Sequence, residues 1–273
     1  MRIPNWYRVD ADGLRYYQAW NFHASGLVRH GFSTRIGGAS EMPFDTLNLG
    51  LAVEDNPEKV IKNRQLFAAA LDIDLGRIVV PKQVHGNTVR VVTEMDAGCG
   101  SMSSVSTVAE VDALITNVPN LPLALHFADC VSIFFLDPVN KAIGMAHAGW
   151  KGTAAKIVTA TVEAMMSEFG SDPKTMLAAI GPAIGRCCFE VAEDAAKPLF
   201  QAFPYDERVL KQLSTAKWRA DLKTANLMLL IEAGFEDRNI AISEKCTSCN
   251  GHEFFSYRRD GETGRMGGWM SLV

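Results

Sequence analysis

Leu125–Gly152 reads LHFADCVSIFFLDPVNKAIGMAHAGWKG. Two runs inside it, VSIFFL (131–136) and AIGMAH (142–147), are apolar and rich in β-branched and aromatic residues, as buried strands are. Asp137-Pro138-Val139-Asn140 between them is a turn sequence. The stretch therefore predicts an antiparallel hairpin, in which the start of the first strand lies beside the end of the second. A thiol, Cys130, and an imidazole, His147, then meet at one edge of a sheet. Adjacent residues of an extended chain face opposite ways. With Cys130 turned towards such a site, Asp129 turns away and is read as structural. His126 is read as a satisfied core histidine.

Upstream, PKQVHGNTV (81–89) puts His85 in a loop before a strand. Two imidazoles and a thiolate are a transition-metal donor set. Zinc takes such ligands, and three of them leave a fourth position for water or substrate. Copper also binds two histidines and a cysteine, with Met145 as a conceivable axial partner. However, multicopper oxidation of phenols needs more histidines than the six present, His23, His30, His85, His126, His147 and His252. Without a metal, Cys130 and His147 form the nucleophile and base of a cysteine hydrolase. A metal that only staples the fold of a non-enzymatic binding protein is a further reading.

Other pieces carry charge or sulphur. FSTRIGGAS (32–40) sets Arg35 before a Gly-Gly turn, and SYRRDGETGRMGG (256–268) is dense in arginine and glycine. Guanidinium forks and exposed amides of this kind hold anions, although neither stretch is a P-loop. Ala148–Gly152 leads into a helix whose first amides, with Lys151, could face an anion. Arg35 and Lys151 are the sequence's candidate phosphate holders. Cys187-Cys188 and CTSC (246–249) remain. A C-x-x-C suits a zinc knuckle or a redox pair. The vicinal pair lacks knuckle spacing, so structural or spare thiols are favoured over a second metal.

Helices are predicted over 57–71, opened by Asn56-Pro57, over 153–169 with Gly170 as its stop, and over 221–233. A weaker one at 192–203 is interrupted by Pro198. Further strands are predicted at 88–94, 111–116, 121–127 and 176–180. Strands cluster without strict βαβ alternation, which favours α+β with mixed or antiparallel sheets. The Ser-rich 98–107 stretch predicts an exposed or mobile loop. No linker or repeat divides residues 1–273, so one domain is expected.

The chain has 273 residues, is 48% hydrophobic and 21% charged, and carries a net charge of −4. That charge argues against nucleic-acid binding through general positive charge. MRIPNWYRVDADG at the N-terminus has no apolar core of a signal peptide. No stretch approaches the ~20 apolar residues of a membrane span. A cytoplasmic location with reduced cysteines is expected.

Taken together, KQVHG, FADC, AHAGWKGT, IGPAIGRCCFEV and CTSCNGHEFFSYRRDGETGRM resemble the YfiH/YlmD family, from Phe32 to Met266. It is also called the laccase-domain or polyphenol-oxidase family, and more recently a purine nucleoside phosphorylase family. The resemblance implies a single α+β domain of mixed sheets flanked by helices. It implies zinc bound through His85, Cys130 and His147, with copper as the older label. It also implies phosphorolysis of adenosine, inosine or guanosine to free base and ribose 1-phosphate. Adenosine deamination and methylthioadenosine cleavage are implied for some members.

Overall fold

The computed structural model describes residues 5–273. The hairpin forms: Val131–Asp137 pairs antiparallel with Ala142–Ala148, setting Ser132 opposite His147 and Val131 opposite Ala148. The Asp137 carboxylate closes its turn by accepting from the Val139 and Asn140 amides and the Asn140 side chain. The hairpin is the middle of a six-stranded sheet. Its order is Ile240–Ile242, Leu177–Ile180, Val131–Asp137, Ala142–Ala148, Ala113–Thr116, Val89–Val91. The outermost pair at each edge is parallel and the inner pairs are antiparallel.

A five-stranded antiparallel sheet faces it, ordered Trp6–Ala11, Leu14–Ala19, Val28–Ser33, Met266–Leu272, Leu123–Phe127. Phe32, Phe127 and Met270 of this sheet share a buried core with Leu114, Phe134 and Met145 of the other. Helix Pro57–Ala70 covers the outer face of the five-stranded sheet. Helices Ile157–Phe169 and Leu222–Glu232 cover the outer face of the six-stranded one, and Glu193–Ala202 packs on a small three-stranded sheet ordered Glu190–Val191, Lys217–Ala220, Leu210–Ser214. The architecture is mixed α and β with helices outside two packed sheets, the class the sequence implies. Among the described residues, no helix is long and apolar enough to cross a membrane.

Differences from the sequence reading have local causes. The 88–94 strand stops at Val91, because Thr93 and Asp96 cap each other around the short turn Glu94–Asp96. The 153–169 helix is two helices, Trp150–Ala154 and Ile157–Phe169, broken where Lys156 takes a left-handed φ of 58°. Helix Glu193–Ala202 runs through Pro198, which removes one backbone bond while Ala195, Ala196 and Leu199 bury its inner face. Of the N-terminal thirteen residues, the first four lie outside the described residues and Trp6–Ala11 is an edge strand. The glycine-rich C-terminal stretch becomes a central strand from Met266. A Cβ on Gly268 would lie 3.0 Å from the Phe127 and Phe134 rings. Here glycine lets the two sheets approach closely, in a stretch whose sequence suggests exposed anion-binding amides.

Candidate metal centre and substrate cleft

One carboxylate organises the site. Asp112 is fully buried and lies just before strand Ala113–Thr116. Its side chain accepts from the amides of Val84 (3.2 Å), His85 (2.9 Å) and Gly86 (2.6 Å). It thereby holds a turn in which His85 adopts a left-handed φ of 62°. The same carboxylate lies 2.8 Å from His147 Nδ1 and accepts from it, leaving Nε2 as that ring's free donor atom. The Asp112 carbonyl accepts from the His147 amide.

Cys130 enters from a kink. Strand Leu123–Phe127 belongs to one sheet and Val131–Asp137 to the other, and between them Asp129 turns the chain with a φ of 93°. The Asp129 carboxylate accepts from Thr247 Oγ1 (2.6 Å) and the Arg258 amide (2.7 Å), so it braces the kink. The donor atoms of His85, Cys130 and His147 all lie within 4.8 Å of one another. Gly149 packs directly on them. A Cβ there would sit 3.0 Å from both Cys130 Sγ and His85 Nδ1.

Charge follows from this geometry. Burial pushes the Cys130 thiol up, but the charge and hydrogen bond of His147, helped by His85, outweigh it and bring the thiol down to about 6. Burial pushes His147 down, but the charge of Cys130 and the hydrogen bond to Asp112 lift it to about 9. Burial also raises Asp112, and the bonds from His147 and Gly86 outweigh that and hold it below the ordinary carboxylate range. A thiolate beside two imidazoles, one oriented by a buried carboxylate, suits zinc in donor type, number and outer support.

A cleft of about 500 Å³ opens on these three residues. Arg64, His126, Arg265 and Tyr257 also line it, as do Ser104 and Thr107 of the Ser-rich loop. That loop, expected to be exposed or mobile, is a wall of the cleft. Arg64 is 2% exposed and donates to the carbonyls of Leu49, Gly100 and Ser101. Its Nη2 lies 3.3 Å from His126 Nε2 and donates to it. Burial pulls Arg64 down to about 10. Arg265 donates to the carbonyls of Thr263 and Gly264, and burial lowers it too. Among the described residues neither arginine has a carboxylate partner. Burial, then the two arginines, hold His126 well below its ordinary value. His126 is therefore satisfied, but it is a residue of the cleft wall.

The sequence's phosphate candidates lie elsewhere. The Arg35 guanidinium is engaged by the Asp45 carbonyl and carboxylate and the Gly251 carbonyl, and sits 4.7 Å over the Phe255 ring. Lys151 is exposed, 5.5 Å over the Trp150 ring, and does not line the cleft. Its helix, Trp150–Ala154, is barely one turn. The missed residues left a trace: buried positions of helix Pro57–Ala70 are 60, 63, 64, 67 and 68. Asn63 and Arg64 thus occupy an apolar stripe at helical spacing. Asp112 likewise immediately precedes an apolar strand. Met145, the conceivable copper ligand, is packed in the core between the sheets.

A family profile described as "Multi-copper polyphenol oxidoreductase laccase" matches residues 29–273. The chain belongs to this family. Among its laccase-domain relatives, the purine nucleoside phosphorylase YlmD of Bacillus subtilis (strain 168) is 39% identical over 245 residues, covering 89% of this chain and 87% of that protein. The crystal structure of YlmD from Geobacillus stearothermophilus matches with a TM-score of 0.92 at 38% identity, covering 98% of this chain and 99% of that one. A protein of an unknown prokaryotic organism named adenosine deaminase RL5 is 33% identical, covering 84% of this chain and 88% of that protein.

Proposed function

We propose that this laccase-domain protein is a zinc-dependent purine nucleoside phosphorylase. It would take adenosine, inosine or guanosine with phosphate and release the free base and ribose 1-phosphate. Adenosine deamination and methylthioadenosine cleavage would be further activities of the same site. The carrying observation is that one cleft holds both a cation-binding triad and two arginines without carboxylate partners. Relatives named as purine nucleoside phosphorylases and as an adenosine deaminase support the reading.

His85, Cys130 and His147 would hold the ion, which supplies Lewis acidity when bound. Asp112 fixes the His147 ring so that its Nε2 stays available. Arg64 and Arg265 hold the phosphate. Their charges act at low local dielectric, where charge-assisted bonds are strong. Tyr257, 64% exposed, offers an aromatic face to the purine. In the reaction a phosphate oxygen bonds to ribose C1′ as the C1′–N9 bond breaks. The bonding pair leaves with the purine, which takes up a proton.

The test incubates metal-quantified protein with adenosine and inosine, with and without phosphate, and separates the products by chromatography. Hypoxanthine and ribose 1-phosphate formed from inosine only with phosphate, and lost together with zinc in Cys130→Ala, are expected. Failure to turn over either nucleoside would overturn the reading. The low Cys130 pKa favours one rival, a metal-free cysteine hydrolase. That rival predicts activity that survives chelation and dies on thiol alkylation.

A further inference from the structure

Of the five cysteines outside the cleft, four come together. Cys187 and Cys188 sit in a turn in which the Cys188 and Phe189 amides donate to the Gly185 carbonyl. Cys246 and Cys249 sit in another, closed by the Asn250 amide donating to the Cys246 carbonyl. A bridge between Ala183 and Cys246 sets the two segments side by side. Cys249 Sγ is 3.4 Å from Cys187 Sγ and 3.3 Å from Cys188 Sγ, and all four sulphurs lie within 4.8 Å of one another. Four thiolates at zinc–sulphur bonds of about 2.3 Å stand roughly 3.8 Å apart in a tetrahedron. The observed spacing brackets that value.

The surroundings also suit a metal. The Gly185 amide donates to Cys246 Sγ at 3.1 Å, the kind of outer support that ligand sulphurs receive. A Cβ on Gly185 would lie 3.1 Å from Cys187 Sγ and 3.2 Å from Cys246 Cβ, so this backbone must pass close to the cluster. Cys187 and Cys249 are exposed, which gives an ion an entry path. All four are free thiols.

We propose that Cys187, Cys188, Cys246 and Cys249 bind a second zinc-class ion through four thiolates, a closed structural site that clamps the 183–189 segment onto the 243–250 segment. The clamp reaches the cleft. Thr247, inside the cysteine turn, donates to Asp129, and the Ile184 amide donates to the Asp129 carbonyl. Arg259 donates to the Thr247 and Ser248 carbonyls, fixing the short helix that begins with Tyr257. The second ion thus braces the residue next to Cys130 and the wall carrying Tyr257.

The proposal is independent of the reaction catalysed. The test measures metal per chain in the full-length protein and titrates the metal-free, reduced protein with zinc against a chromophoric chelator. Two equivalents are expected in the wild type. One equivalent should be lost in Cys188→Ser/Cys249→Ser, and the other in His85→Ala. Cobalt bound to His85→Ala should give the intense visible absorption and near-ultraviolet thiolate band of a tetrahedral four-sulphur site, and Cys249→Ser should weaken both. Should the cysteine variants not fold, the wild-type titration and the cobalt spectrum of His85→Ala decide. A reduced His85→Ala protein with six titratable thiols that binds no zinc would overturn the proposal. So would a thiol count in unreduced, denatured protein that shows these cysteines paired in disulfides.

Discussion

His30 and His147 are both buried, one in each sheet, and their surroundings drive them in opposite directions. His30 accepts from the Ala19 amide at 2.9 Å, packs edge-on to Phe22, and has no partner for Nδ1 among the described residues. Burial takes it down to about 3. His147 pays the same desolvation but faces a thiol and a carboxylate, which lift it to about 9. Burial alone makes a packing residue. Burial beside opposite charge makes a group able to hold a cation or to exchange a proton.

If that contrast is right, changes around His147 alter chemistry and changes around His30 alter only stability. The largest effect is expected at Cys130. Cys130→Ala should lower phosphorolysis to background and remove the cleft's metal, as read by product chromatography and elemental analysis. Asp112→Asn keeps the shape but removes the charge behind His147 and the His85 turn. It should weaken zinc affinity about 10- to 100-fold, measured by chelator competition. Arg265→Met should raise the KM for phosphate about tenfold or more, the worth of one charge-assisted bond, with a smaller change in the KM for nucleoside. Arg35→Ala should leave the KM for phosphate unchanged. If Arg35→Ala raised it and Arg265→Met did not, the anion site would have to move. Tyr257→Ala should raise the KM for nucleoside by about tenfold, a modest stacking contribution.

His30 gives the smallest effect, and only in acid. Its folded pKa is lowered, so between about 3 and 6.5 the unfolded chain binds a proton that the native state refuses. Stability therefore falls as pH drops through that window. His30→Gln retains an acceptor for the Ala19 amide and cannot titrate. Its stability, followed by denaturant melts from pH 7 to pH 4, should fall less steeply, by up to about one proton's worth. Nucleoside turnover at neutral pH should be unchanged. An unaltered acid slope would mean that His30 is protonated in the fold, and the contrast with His147 would fail.

The hairpin and its flanking residues were legible because their signals are local. A turn sequence separates two apolar runs, and register follows from it. The five-stranded sheet was not, because its neighbours in space are far apart in sequence and Gly267-Gly268 lie in an arginine- and glycine-rich stretch that lacks a strand pattern. Arg64 and Asp112 were hidden for a different reason. Each is a polar residue within an apolar pattern, and pattern reading discards such residues as noise. Arg35 looked free because nothing local shows that Asp45 and Gly251 would engage it. The convergence of Cys187 with Cys249 depends on the parallel approach of two distant segments, which spacing along the chain does not show.

Strand Met266–Leu272 sits between Val28–Ser33 and Leu123–Phe127. The sheet therefore has a gap in its middle until the ribosome has delivered residue 272. Its first three strands must wait, with the Val28–Ser33 edge open, through the synthesis of nearly everything else. Apolar strand edges held open in this way invite pairing with other chains. Chaperone dependence, and aggregation of chains stalled before residue 266, are the expected consequences of that late insertion.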